Sequence, residues 1–351
     1  MNGILQAGQP ETNSKKLVSP LYVFVWMVIT LVMTSYLVWR NTSFFTPTDD
    51  VIKLNYLTPQ KMREFGGMPT QVRVGLSVNE FRTFNMKGNE FIIDGILWFE
   101  FDPSHISLST VEQFSFDRGE VLYRSAPTSY MREGLLFVRY DVRIKFSTPM
   151  SFKYFPLDDH RLMLALTYKT VSPSELILVS RDADFVVIPD MRSVGWGEFK
   201  HSVETGYVTG SYSQTDPSKT LNYPTALFEI DYGRKQNIRN TIIIVLPMLL
   251  LFFIALFSLI IDRDKWFTTV ISLPVQTIAG LVAYRFVIEG MSPTVGYFIY
   301  SDYFFFIFLL LMFLILLIHT VGIHLSYYVR KIIIAVLNLI IIFFFAYLFW
   351  I

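Results

Sequence analysis

The chain has 351 residues, of which 52% are hydrophobic and 17% aromatic, with a formal net charge of +1. The apolar excess is too large for an ordinary soluble domain, and a near-neutral charge argues against nucleic acid as a partner. Cysteine is absent, which excludes a disulfide framework, a thiol nucleophile and a cysteine-ligated metal site.

Residues 1–16 form a polar tail that carries Lys15 and Lys16 just before an apolar run from Leu17 to Trp39. That run is longer than the apolar core of a signal peptide, and no small-x-small cleavage site follows it. Residues 17–40 therefore read as an uncleaved signal anchor, with a cleaved signal peptide as the alternative.

Over residues 41–233 the pattern changes to short alternating segments rich in Val, Ile, Phe and Tyr, punctuated by Gly, Pro, Asn and Asp. Strands are expected at 72–81, 91–101, 134–146, 160–166, 175–180 and 225–232, and a short glycine-terminated helix within "TPQKMREFGG" at 58–67. Short strands spaced by turn signals predict a β-sandwich.

From 234 to 351 the chain turns basic ("RKQNIR") and then apolar. Four spans are expected: Thr241 to Ile261, Trp266 to Ile288, about Ser301 to Leu325, and Ile332 to Ile351. With the N-terminus inside, Arg330 and Lys331 fall on the same side as Lys15 and Lys16, as the positive-inside rule requires. The second span, "WFTTVISLPVQTIAGLVAYRFVI", differs from the rest in carrying polar and small residues. Such groups are costly against lipid, so this helix is expected to face inward. Ser272, Gln276, Ala279, Ala283 and Phe286 share one helical face. That face either lines a water-filled path or supplies hydrogen bonds between helices.

The stretch "SFKYFPLDDHRLML" (151–164) sets Asp158, Asp159 and His160 side by side. Consecutive residues on a strand point to opposite faces, so these three are not expected to converge as an acid-base centre. His105, His201, His319 and His324 are scattered, no nucleophile or metal motif is visible, and neither an enzyme nor a cofactor is expected.

An anchored β-sandwich followed by four spans, the second of them polar, resembles the pentameric ligand-gated ion channels, the Cys-loop receptor superfamily. The resemblance covers about residues 70–351. Its sharpest piece is "SFKYFPLDDHRL", similar to the family's Pro-loop, with His160 where the family has glutamine. "VRYDVRIKFSTPMSFKY" resembles the strand leading into that loop, and "VGLSVNEFRTFNMKGNEFIIDGILWFEFD" the first two strands. "GWGEF" and "TALFEIDYGRK" resemble the late strands, "IIIVLPMLLLF" the first membrane helix, and "EGMSPTVGYFIYSDY" the linker between the second and third. The missing cysteines and the short third-to-fourth linker match the bacterial branch, whereas a retained N-terminal helix is not a usual element.

The resemblance implies an all-β extracellular sandwich plus an all-α transmembrane four-helix bundle, with the N-terminal hydrophobic helix additional. It implies a homopentamer of identical subunits in the plasma (inner) membrane, surrounded by membrane lipid, conducting inorganic ions and opened by an unknown small-molecule agonist or by protons. A non-conducting sensor or accessory subunit with the same fold is the alternative. Pore-lining residues would be Ser272, Gln276, Ala279, Ala283, Phe286 and Glu289. Gating would be coupled through Phe155, Pro156, Asp158, Arg234, Lys235, Pro293 and Tyr297, with Asp158 against Arg234 or Lys235 and Asp159 facing solvent. Tyr207, Tyr212 and Tyr223 resemble the aromatic-bearing capping loop. Trp98 and Phe101 either form the opposite face of an intersubunit ligand site or are simple core aromatics. Residues 41–233 hold 24 acidic and 19 basic residues, so five copies would give an acidic vestibule that concentrates cations. Together with Glu289 this points to cation conduction. A histidine titrating near neutrality at position 160 makes pH sensitivity an expectation.

Overall fold

The computed structural model describes residues 17–41, 45, 47–67, 69–85, 88–188, 196–216, 218–234, 237–321 and 325–350. It divides into two compact units: Phe45–Asn237 with Pro293–Tyr297, and Met1–Phe44, Ile238–Ser292 with Phe298–Ile351.

After the first helix, α1 (Pro20–Asn41), the β-rich unit opens with an extended segment and a short helix, α2 (Pro59–Glu64); a second short helix, α3 (Leu108–Val111), lies between its second and third strands. Its strands are β1 (Thr70–Asn85), β2 (Glu90–Phe101), β3 (Phe114–Phe116), β4 (Gly119–Arg124), β5 (Thr128–Arg132), β6 (Leu135–Ser147), β7 (Asp159–Tyr168), β8 (Leu176–Val179), β9 (Phe185–Val187), β10 (Trp196–Ser211) and β11 (Thr220–Arg234). They form one mixed sheet in the order β10-β11-β7-β3-β4-β6-β2-β1-β8, with β5 on β6 and β9 on β1. Among the described residues only β8 and β9 pair parallel, both to β1.

The sheet curls until it is nearly a barrel. Phe185 of β9 packs 5.1 Å from Phe228 of β11 and 5.4 Å from His201 of β10, so its two ends meet. The core lies inside this curl. Strict alternation on β2 buries Phe91, Ile93, Leu97, Phe99 and Phe101, and β6 answers with Val138, Tyr140, Val142, Ile144 and Phe146. This is the period-2 burial that sheet geometry imposes.

All six expected strands are present, as is the expected short helix, whose N-cap is Thr58. Strands β3 and β9 are three residues long, too short to show a period. In β4 and β5 nearly every residue is exposed, so no alternation marks them either.

The other unit holds α1 and four further helices: α4 (Asn237–Phe257), α5 (Phe267–Met291), α6 (Tyr300–Thr320) and α7 (Tyr327–Trp350). All five are long and apolar enough to cross a bilayer. Helix α4 lies about four residues earlier than the expected span, because the backbone turns at Ser258–Ile260. Helices α1 and α7 run parallel. The Tyr22 hydroxyl donates to the Lys331 carbonyl at 3.2 Å, and about two turns further the Thr30 hydroxyl donates to Asn338 Oδ1 at 2.7 Å. Pro247 and Pro274 lie inside α4 and α5.

Candidate functional site

The stretch joining β6 to β7 is largely buried. Phe152, Phe155, Pro156 and Leu157 are all buried, and backbone bonds from Phe155 to Phe152 and from Leu157 to Tyr154 tighten it into successive turns. At its end β7 begins in the middle of the sheet, with Asp159 opposite Gly233 of β11. Asp158, Asp159 and His160 are consequently buried. The expectation that Asp159 faces solvent is therefore corrected: the residue is only 4% exposed.

A second correction concerns convergence. Alternation separates neighbours but puts positions two apart on one face. His160 Nε2 lies 3.0 Å from Asp158 Oδ2, and His160 Nδ1 lies 3.1 Å from Asp49 Oδ1. Asp49 comes from the extended segment before α2 and is itself held by backbone donors, the Ser151 N–H at 2.7 Å and the Arg161 N–H at 2.8 Å. The Phe152 ring closes over the imidazole edge-on at 5.1 Å. Arg161 turns the other way, to Asp231 at 2.7 Å and Glu229 at 3.8 Å.

Burial opposes a charged imidazole, but the hydrogen bonds and charges of Asp158 and Asp49 outweigh it and raise His160 to about 9. His160 is thus an imidazolium at neutral pH, clamped between two carboxylates. Its expected titration near neutrality is displaced into the alkaline range. Sequence reasoning missed Asp49: it lies 111 residues from His160, and only tertiary structure joins them.

The α5–α6 linker meets the same loop. Residues Pro293–Tyr297 belong to the β-rich unit although the helices on either side do not. The Phe152 N–H donates to the Tyr297 hydroxyl at 2.8 Å, and Pro293 is buried. The side chain of Arg234 and the whole of Lys235, the expected partners of Asp158, lie outside the described residues; the partner described for Asp158 is His160.

On α5, Val270, Pro274, Thr277, Leu281 and Ile288 are buried, a single face at helical spacing. Gln276, Ala279, Ala283, Phe286 and Glu289 are exposed on the rest of the helix and Ser272 is half-buried, with Phe286 reaching 73% exposure. The stripe proposed from periodicity is thus turned away from this chain's own helices. At its end Arg285 lies 3.0 Å from Glu289 and 2.5 Å from Asp302 of α6, with its guanidinium over the Phe305 ring. The charge of Glu289 is therefore shared with an adjacent cation.

The five aromatic candidates do not form one cluster. Tyr212 and Tyr223 share a hydrogen bond between their hydroxyls and line a cavity of about 250 Å³ with Asp117, Thr167 and Lys169. Tyr207 is buried elsewhere, edge-on to Phe65, because odd and even positions of β10 face opposite ways. Trp98 stacks on Phe137 and under Arg73, and its indole fills the space where a side chain at Gly75 would begin. Phe101, three positions on, is in the core. Trp98 and Phe101 thus do not present one surface.

His105 bonds to Asp102 and His201 to Glu198, while His319 accepts or donates to Ser258 at 2.9 Å; His324 lies outside the described residues. Among the described residues no group of three or more His, Asp or Glu is arranged to hold a metal ion. No protein-family model matches the chain, and no curated protein matches it.

Proposed function

We propose that the chain is a subunit of a homopentameric ligand-gated ion channel related to the bacterial Cys-loop receptors. In this reading the curled sheet is the ligand-binding sandwich on the outer side of the inner membrane. Helices α4–α7 are the pore-forming four-helix bundle, and α1 is an added anchor. The observation that carries the proposal is the Phe152–Tyr297 hydrogen bond. It joins the buried Pro-loop to the linker that continues directly from α5, the helix with the exposed polar stripe, so movement of the sheet has a covalent route to that helix.

Five copies of the stripe around an axis would present Gln276 and Ser272 to ions in place of part of their hydration shell, and Phe286 as an apolar ring that closes by dewetting. The acidic balance of residues 41–233 favours cations. The cavity beside Tyr212 and Tyr223, with Asp117 and Lys169 on its wall, suits a small ligand carrying both charges or an amine held by cation–π attraction. The exposure of Phe286 also favours a second reading, a permanently closed assembly that senses without conducting.

Purified protein imaged in detergent and recorded in planar bilayers separates these readings. A five-fold ring, with currents altered by Gln276→Ala, supports the channel. Monomeric particles that pass no current under pH steps, amines or divalent cations refute it. A silent five-fold ring selects the second reading.

A further inference from the structure

Helices α1, α4 and α7 enclose a cavity of about 320 Å³ in the half of the helical unit where α1 ends and α4 begins. Leu31, Thr34 and Val38 of α1, Val245 and Leu249 of α4, and Phe345 of α7 form its walls. All three helices are membrane-length and apolar, so what fills the space is decided by what is present inside a bilayer.

Water is a poor occupant. It needs two to four polar partners, whereas seven of the ten lining residues are apolar and, of the three that carry hydroxyls, Thr34, Ser35 and Thr241, Thr34 already donates to the Thr30 carbonyl at 2.8 Å and the Leu31 carbonyl at 3.2 Å. An empty void of this size is equally unfavourable, since its walls forgo dispersion contacts that any apolar occupant restores. The mouth is apolar as well: Leu31 and Ile242, which both line the cavity, are exposed on the outer surface of the helical unit. One turn beyond Ser35, α1 ends in exposed Trp39 and Arg40, residue types that settle at the headgroup level of a bilayer.

We infer that this cavity is a binding site for one acyl chain of a membrane phospholipid, inserted between α1 and α4 with its headgroup at the level of Trp39 and Arg40. The added helix α1 builds one wall of the site, so it has no counterpart in a bundle of α4–α7 alone. The inference does not depend on whether the assembly conducts.

The full chain is reconstituted in phosphatidylcholine vesicles in which part of the lipid carries a diazirine at mid-chain, and adducts are mapped by peptide mass spectrometry after illumination. The expected result is preferential labelling of the segments 31–38 and 241–249. Val245→Trp, which fills the cavity, lowers that labelling at least five-fold and leaves labelling of the exposed face of α6 at Phe306, Leu310 and Phe313 unchanged. Leu31→Phe narrows the site from the opposite wall and gives the same pattern should the tryptophan variant fail to fold. Labelling spread evenly over the exposed faces of all five helices, or labelling indifferent to both substitutions, would overturn the inference.

Discussion

His160 is held at both ring nitrogens by carboxylates, Asp158 at 3.0 Å and Asp49 at 3.1 Å, inside a loop that excludes water. Its raised pKa makes a statement about stability. An unfolded histidine titrates near 6.5 and the folded one at about 9, so the folded state binds the proton more tightly. The contribution is fully present below pH about 6.5 and is lost as pH rises through about 9, on the order of 3 kcal/mol in all. Burial pushes Tyr140, Tyr168 and Tyr232 upward from their ordinary value, so these buried phenols do not titrate in that window. Thermal unfolding followed from pH 6 to 10 is expected to show a falling midpoint in the wild type and a flatter profile in His160→Gln. Parallel profiles would locate the titrating group elsewhere.

Asp49 has three partners, the imidazolium and two backbone N–H groups. Asp49→Ala strands all three, and removing one partner of a buried ion pair typically costs about 3–5 kcal/mol. Asp49→Asn keeps a carbonyl oxygen for one backbone donor and is expected to cost less. Denaturant midpoints of the two variants, compared at pH 7, check the order; equal losses would mean that the backbone bonds contribute little.

Tyr297→Phe removes only the hydroxyl that receives the Phe152 N–H. The expected stability loss is about 0.5–1.5 kcal/mol. In the channel reading it shifts the stimulus needed for opening and leaves single-channel conductance as it was, because the ring stays and the α5 stripe is untouched. A changed conductance with unchanged activation would argue that Tyr297 acts on the conduction path and not on coupling.

The legibility of the chain differs between its parts for physical reasons. Strands β2 and β6 can be read because burial of one face leaves a period of two in the residue types, and α7 because an unbroken apolar run of membrane length is itself a signal. Strands β4 and β5 are exposed along nearly their whole length and have no such period. For the loop, the family likeness pointed to Asp158 and Pro156 but supplied the wrong surroundings for Asp159. Treating neighbours as divergent also obscured that Asp158 and His160, two apart, share a face. Asp49 left no local mark at all: "TPTDDV" looks like any polar linker, and the need of a buried histidine for a second carboxylate appears only once His160 is known to be buried. On α5 the stripe was readable from spacing alone, but the sharing of Glu289's charge with Arg285 and Asp302 depends on how α5 packs against α6.

Arg285 sets the charge at the end of α5. With the guanidinium present, Glu289 and Asp302 together carry one charge that is not balanced locally. In the channel reading Glu289→Gln is therefore expected to change cation-to-anion permeability modestly, whereas Arg285→Gln exposes the field of both carboxylates and raises cation preference more strongly. Reversal potentials under a salt gradient measure the two. Arg285→Gln is also expected to lower stability, because Asp302 is buried and loses its charged partner. A larger permeability effect from Glu289→Gln would mean that the Arg285–Glu289 bond is absent in the open assembly.

The Thr30–Asn338 hydrogen bond joins α1 to α7 where both side chains are buried. Asn338 is anchored in turn by its own amide, which donates to the Ile334 carbonyl at 2.8 Å. Polar bonds between membrane helices are worth about 0.6–2 kcal/mol, enough to fix the register of two otherwise apolar helices whose contacts alone would tolerate sliding. A cycle of Thr30→Val, Asn338→Leu and the double variant is expected to give a coupling energy of that size in the unfolding of the full chain. Each single variant strands one buried partner, Thr30→Val the Asn338 carbonyl oxygen and Asn338→Leu the Thr30 hydroxyl, so the double variant should cost less than the sum of the two. Additive effects would mean that α1 is held by packing alone. In that case deleting the Tyr22–Lys331 contact with Tyr22→Phe should also leave α1 in place, as read by protease protection of residues 17–41.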